Sequence, residues 1–244
     1  MRKIISAVLT ALFVSNLIIC PVFANEINNS SFNSEVTIDS KKEDDFINEK
    51  VDDTEVEGAK TNDVTSAAGK KNLPDYSITV NKATNTVTVY KIGKDGKETP
   101  VRAMVCSVGR EGHDTPEGEF KTYQYYDWRL MVDNTYGRYA VRFNGSIMFH
   151  SVPYLKAAKD TLEWEEYNKL GSRASLGCVR LCVADAKWIY SNCKKGTKVK
   201  VYSDITDKGP LGKPTPVKIE KDAKYKGWDP TDLTKENPLL VTVD

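Results

Sequence analysis

Ser77-Ile78-Thr79-Val80, then Lys82 to Asn85, then Thr86-Val87-Thr88-Val89-Tyr90, is the stretch whose reading decides the fold class. Both runs alternate with period two and are rich in β-branched residues, and the segment between them reads as a turn, so the whole is a hairpin signal. Outward from it the same grammar continues. Lys94-Asp95-Gly96-Lys97 is a second turn, and Val101 to Ser107 is a further strand. Phe120 to Tyr126, Arg138 to Phe143 and Ile147 to His150 read as strands, with Asn144-Gly145 as a tight turn. Many short strands with turn punctuation indicate a mainly β sandwich or barrel. Leu162 to Leu170 reads as a short polar helix. Val183 to Cys193 reads as a second, with Val183, Ala186, Ile189 and Tyr190 on one face and Lys195-Gly196 ending it. Thr197 to Tyr202 is the last strand.

The ends of the chain have a different character. Met1-Arg2-Lys3 is basic, Ile4 to Cys20 is an apolar run, and Val22-Phe23-Ala24 supplies a small-residue cleavage site. That order makes residues 1–24 a secretory signal peptide. It implies an exported protein, at the outer face of the cytoplasmic membrane or beyond it. A membrane contact is expected only if the segment stays uncleaved as an anchor. Residues 25–74 are polar and acid-rich, and their only aromatic residues are Phe32 and Phe46. Too little apolar surface is available there to offset ordering entropy, so they read as a disordered linker. The domain then spans 75–202. Residues 203–244 carry five of the ten prolines and read as an extended tail. Leu211, Val217, Ile219, Tyr225, Trp228 and Leu239-Leu240 would let that tail pack along the domain. The formal net charge of +1 over 244 residues gives no reason to expect a nucleic-acid partner.

Three segments carry chemistry. The first is Ala174-Ser175-Leu176-Gly177-Cys178-Val179-Arg180-Leu181. Glycine before a nucleophile lets a substrate carbonyl approach the backbone, and the N–H groups of Gly177 and Cys178 can face a developing oxyanion. Arg180 offers a fork for a carboxylate. A helix starting near Val183 adds potential that favours a thiolate. Read alone, Cys178 is better taken as a buried or disulfide-bonded cysteine. The second segment changes that reading. His150 closes the apolar strand Ile147-Met148-Phe149 and is one of two histidines in the chain. A cysteine nucleophile needs an imidazole, so if any histidine serves as base it is His150 or, in reserve, His113. The third is Val108 to Phe120, a loop rich in turn formers that contains Thr115-Pro116-x-Gly118-x-Phe120. Cysteines 106, 178, 182 and 193 show no C-x-x-C spacing and only two histidines are present, so a zinc site is not expected. Cys178 is expected to be unpaired. Cys182 or Cys106 pairs with Cys193, or all stay reduced.

Together these segments resemble the L,D-transpeptidase catalytic domain, the YkuD-like family of peptidoglycan cross-linking enzymes. Ser175-x-Gly177-Cys178-Val179-Arg180 matches its S-x-G-C-x-R signature, His150 its active-site histidine, and Thr115 to Phe120 its loop ahead of the site. Phe149 to Tyr154 and Glu165 to Gly171 are similar to a branch common in Gram-positive anaerobes. Ser151 stands where many members have Gly, Leu176 where many have His, and the insert Lys156 to Arg173 is longer than in short members. That insert is expected to form a lid or a wall of the acceptor groove.

The resemblance implies a β-sandwich of mixed sheets with one or two short helices. It implies that peptidoglycan stem peptides serve as donor and acceptor, with 3-3 cross-links formed through a Cys178 thioester and D-alanine released. It implies no metal or organic cofactor. The backbone carbonyl of Ser151 would orient His150, with its side chain dispensable. Arg180 would hold a stem carboxylate or brace the loop, and Ser175 would hydrogen-bond within the site. Two other functions stay open: an L,D-carboxypeptidase using the same residues, and a wall-binding module with a relict site.

Overall fold

The computed structural model describes residues 73–240. The expected signal segment, and the linker up to residue 72, lie outside them. β1 (Asp75–Asn81) and β2 (Thr86–Ile92) form the expected antiparallel hairpin, with Asn81 opposite Thr86. β3 (Glu98–Val105) pairs antiparallel with β2, and β9 (Lys198–Tyr202) runs parallel to β1. β4 (Gly118–Lys121) closes this five-stranded sheet in the order β3-β2-β1-β9-β4. The second sheet has the order β5-β6-β7-β8, from Gln124–Leu130, Tyr136–Asn144, Ile147–Ser151 and Val179–Leu181. Its first two pairings are antiparallel and β7–β8 is parallel. Both sheets are therefore mixed, and the fold is mainly β. One core joins them: Ile78, Val80, Val87 and Val89 of the first sheet meet Val141, Phe143, Phe149 and Leu181 of the second. α2 (Val183–Asn192) adds Ile189 and Tyr190 to the same core.

Three elements differ from their sequence reading. Phe120 to Tyr126 is two strands in two sheets. Thr122 N–H donates to Thr197 O of the first sheet and Tyr123 N–H to Arg142 O of the second, so the chain changes sheets between them. The expected helix from Leu162 to Leu170 shrinks to one turn, α1 (Trp164–Tyr167). Leu162 is held extended by a bridge to Tyr154, no side chain caps the turn at Glu163, and Gly171 at φ 96 turns the chain away. Val179–Leu181, only three residues long, carries no periodic signal of its own.

The tail packs along the domain through only some of the residues expected. Ile219 is buried and Trp228 half-buried, whereas Leu211, Val217, Tyr225, Leu239 and Leu240 are exposed. Polar groups hold it instead: Asp229, Asp232 and Asn237 are all buried. Asn81 Nδ2 donates to the carbonyls of Asp204 and Asp207, and Asn168 brackets the backbone of Ile219 from both sides. Thr88, on the face of β2 that alternation assigns to water, is 4% exposed because the tail passes over it near Gly209.

The tail also ends a deficit in α2. Cys182, at the N-cap position, makes no side-chain cap, which leaves first-turn N–H groups without partners. Asp229 Oδ2 accepts from Val183 N–H at 2.8 Å and Thr231 Oγ1 from Ala184 N–H at 3.1 Å. Asp229→Ala is thus expected to cost about 2 kcal/mol, from a lost cap and a buried donor left unpaired, measurable by denaturant unfolding. Burial, opposed by hydrogen bonds from Thr231 and Val183, raises the Asp229 carboxyl from 3.8 to about 6. A carboxyl raised in the folded state contributes stability that is full below its unfolded pKa and lost as pH rises through the folded one. The stability difference between the protein and Asp229→Asn is therefore expected to move in the variant's favour between about pH 4 and about pH 7.

Candidate active site

The parallel pairing of β7 with β8 builds the site. It sets Phe149 beside Val179, His150 beside Arg180 and Ser151 beside Leu181. Cys178 immediately precedes β8 and packs against Met148, Tyr126 and Ala140 together with Met131. Met131 also lies over Gly137, against which the His150 ring rests, so the thiol and the imidazole occupy one face of the sheet. Arg142, opposite Met148 on β6, belongs to this face as well.

His150 is buried, and its Nδ1 lies 2.6 Å from the carbonyl of Ser151. A carbonyl only accepts, so Nδ1 carries the proton and Nε2 has the free lone pair. Burial first, and the Arg180 cation second, lower the imidazole from 6.5 to about 3; the Ser151 carbonyl and Asp133 oppose them. Cys178 is partly exposed. Its thiol donates to Ser146 O at 3.7 Å, at the open end of β7, rather than to His150. Desolvation raises the thiol above its ordinary 9.0, opposed by a backbone hydrogen bond from Met148 and by Arg180 and Arg142. The resting pair is accordingly a neutral thiol and a neutral imidazole. Arg180 acts on both partners in one sense: it disfavours an imidazolium and favours a thiolate.

The loop before Cys178 is locked from within. Ser175 Oγ donates to Cys178 O at 2.6 Å and accepts from Gly177 N–H at 3.1 Å, and Ser175 is fully buried. Ser175 hydrogen-bonds within the site, as expected, but its burial leaves it no surface to offer a substrate, and the Gly177 N–H expected to face an oxyanion is donated to Ser175. Gly177 itself sits at φ 115, and a Cβ there would meet Ile147 Cδ1 at 2.9 Å, so no other residue fits. Thr115 of the preceding loop is also buried; its hydroxyl accepts from Gly109 N–H and donates to Gly177 O at 2.7 Å. This makes Thr115 a strut beneath the nucleophile loop. His113, half-exposed, contributes its backbone carbonyl to the space beside Gly177.

Of its two expected parts, Arg180 takes that of the brace and not that of the carboxylate fork. It is 7% exposed, and Nη1 pairs with Glu166 Oε2 at 2.7 Å and reaches Ala174 O at 3.4 Å. Nη2 stands 3.9 Å from Asp133. Arg180 thus ties the 156–173 insert to the site. The insert buries Leu162, Tyr167 and Leu170 in the main core, which makes it a fixed wall. Ser151 is corrected too: its hydroxyl accepts from Arg138 N–H at 2.8 Å and donates to Val152 O, so it is engaged and not idle. Cys106, Cys178, Cys182 and Cys193 are all unpaired: Cys178 as expected, and the others in the reduced one of the two states expected of them. Among the described residues no group of three or more His, Cys, Asp or Glu is arranged to hold a metal.

The model of the L,D-transpeptidase catalytic domain matches residues 75–201, which contain every one of these groups. The chain belongs to that family. The Bacillus subtilis protein named "Putative L,D-transpeptidase YciB" is 36% identical over 114 residues, which cover 44% of this chain and 58% of that protein. The matched segment thus spans less than two thirds of the relative's length. An L,D-transpeptidase from Mycobacterium smegmatis is similar in structure at 20% identity and a TM-score of 0.43, over 53% of this chain and 59% of that one. An L,D-transpeptidase from Mycobacterium tuberculosis gives 25% identity and a TM-score of 0.43, over 53% and 58%.

Two outcomes are expected from this geometry. Alkylation of Cys178 by iodoacetamide is expected to rise with pH through and beyond 9.0 with no step near 6.5. A rate plateau in mildly acid solution would instead reveal a thiolate–imidazolium pair. A Cβ at Gly137 would lie 2.2 Å from Met131 Cε and 2.8 Å from His150 Nδ1. Gly137→Ala is therefore expected to displace the imidazole and lower turnover about a hundredfold, with near-native circular dichroism.

Proposed function

We propose that the protein is a peptidoglycan L,D-transpeptidase that forms 3-3 cross-links through a Cys178 thioester, with release of D-alanine. The observation that carries this is the bond from His150 Nδ1–H to the Ser151 carbonyl, which leaves Nε2 as the base on the face that holds Cys178. Family membership supports the choice of substrate class, peptidoglycan stem peptides as donor and acceptor.

Each step follows from these groups. The donor stem binds with the carbonyl of its third residue against Cys178. As sulfur attacks, its proton passes to His150 Nε2, and a tetrahedral oxyanion forms. The Cys178 N–H is the donor proposed for that oxyanion, since Gly177 N–H is held by Ser175. One such donor typically lowers the barrier by about 2.7–4 kcal/mol. The C–N bond to the terminal D-alanine then breaks, and His150 returns the proton to the leaving amine. A side-chain amine of a second stem attacks the thioester and gives its proton to His150. The cross-link forms, and Cys178 leaves as a thiol. Because the resting pair is neutral, proton transfer accompanies attack instead of preceding it. The signal-peptide pattern of residues 1–24 supports a site of action outside the cytoplasmic membrane.

The test is mass spectrometry of the purified protein incubated with a disaccharide-tetrapeptide, beside Cys178→Ala. The expected product is a dimer lacking one D-alanine, absent with the variant. Tripeptide alone would make the protein an L,D-carboxypeptidase. No turnover and no thioester adduct would leave a wall-binding module.

A further inference from the structure

The pairing of β6 with β7 opens around the base. Val141 pairs with Phe149, and Tyr136 bridges Tyr154, but residues 137–140 and 150–153 between these points make no regular ladder. Tyr139 lies in this gap at φ 52, a conformation costly for a bulky residue that persists only where its surroundings impose it. His150 and Ser151 face it across the opening. What holds the gap is Arg138. Its N–H donates to Ser151 Oγ at 2.8 Å, and Ser151 O receives the His150 Nδ1–H at 2.6 Å. Its guanidinium donates to the Tyr139 hydroxyl at 2.9 Å and lies over the Tyr139 and Trp128 rings.

The guanidinium in turn is anchored from the tail. Asp232 Oδ2 accepts from Arg138 Nη1 at 2.7 Å, and both side chains are almost wholly buried. Asn237 Nδ2 donates to the carbonyls of Asp229 and Asp232 and fixes the turn that presents the carboxylate. A charge pair so far from water fixes geometry strictly, because removing either partner strands the other.

We propose that Asp232 is a positioning residue for the base: through Arg138 it holds Ser151, whose carbonyl sets the tautomer and plane of the His150 imidazole. The C-terminal extension is then part of the active machinery and not a cover over it. This rests on His150 being the base in the proposed reaction.

The test uses the full chain with 15N-labelled histidine. Only two histidines are present, so the ring signals of His150 and His113 separate by comparison with His113→Gln. In the unaltered protein His150 is expected to be the Nδ1–H tautomer alone. Asp232→Asn removes the charge at nearly constant shape. It is expected to give a mixture of tautomers and to lower kcat about tenfold to a hundredfold, the range for outer partners that orient an imidazole, with KM changed less than about twofold. Asp232→Glu is expected to restore the single tautomer and most of kcat. Glu236→Gln, which breaks an exposed pair between the same tail and Lys159, is expected to change neither. Should Asp232→Asn not fold, Arg138→Lys is read in its place, with the same tautomer mixing expected.

An unchanged tautomer with unchanged kcat would overturn the proposal. So would a loss that tracks melting temperature alone while the tautomer stays single, or higher activity after removal of residues 203–244. If no transpeptidation is found in the unaltered protein, the tautomer spectrum still decides the structural claim, so its failure and that of the proposed reaction are distinguishable.

Discussion

Parallel pairing of Ile147–Ser151 with Val179–Leu181 is the constraint on which everything near the site depends. Its register brings a histidine and a cysteine that are far apart in the chain onto one face. A shift by one residue would send either side chain to the opposite face. Such a short ladder could not hold its register alone. Arg180 is therefore fastened on its other edge, where its N–H and C=O exchange bonds with Ser107. Thr115 and Ser175 then fix the loop that leads into the strand. The result is a cysteine whose place is set by strand register together with the two hydroxyls that lock its loop.

Charge around this ladder is arranged with one strong cation at its centre. Arg180 neighbours both reacting groups and is balanced by Glu166 at contact and Asp133 further out. Removing Glu166 would leave a buried guanidinium uncompensated, so the wall formed by the insert and the electrostatics of the site are one structure. Glu163 nearby is raised by its own partial burial and by Glu166 and Asp133. Negative charge is thus already crowded at this end of the site, and Arg180 limits how far it can accumulate.

Local pattern and long-range contact divide what the sequence discloses. The hairpin, the second helix and the last strand were legible because period two, period 3.6 and turn residues act over a few positions. The motif residues were legible through family resemblance, since nothing local distinguishes Cys178 from a core cysteine. The Glu166–Arg180, Asp229–Val183 and Asp232–Arg138 contacts span 14, 46 and 94 residues. No periodicity marks such partners, and each looks like an ordinary polar side chain until the fold brings it inward. The tail shows this most clearly: its apolar residues suggested the docking surface, and its carboxylates supplied it. Engagement of Gly177 N–H and Ser175 by each other was hidden for a related reason, because spacing says which groups are near and not which bonds they make.

The neutral state of the Cys178–His150 pair has a consequence for durability. Peroxides and disulfides attack a thiolate far faster than a thiol, and the sulfur oxyacids that follow become irreversible after the first stage. A permanently ionised cysteine would be lost to such chemistry. Here burial holds the sulfur in its thiol form, beside an imidazole that burial keeps neutral. The desolvation that raises the thiol thus also slows its oxidation.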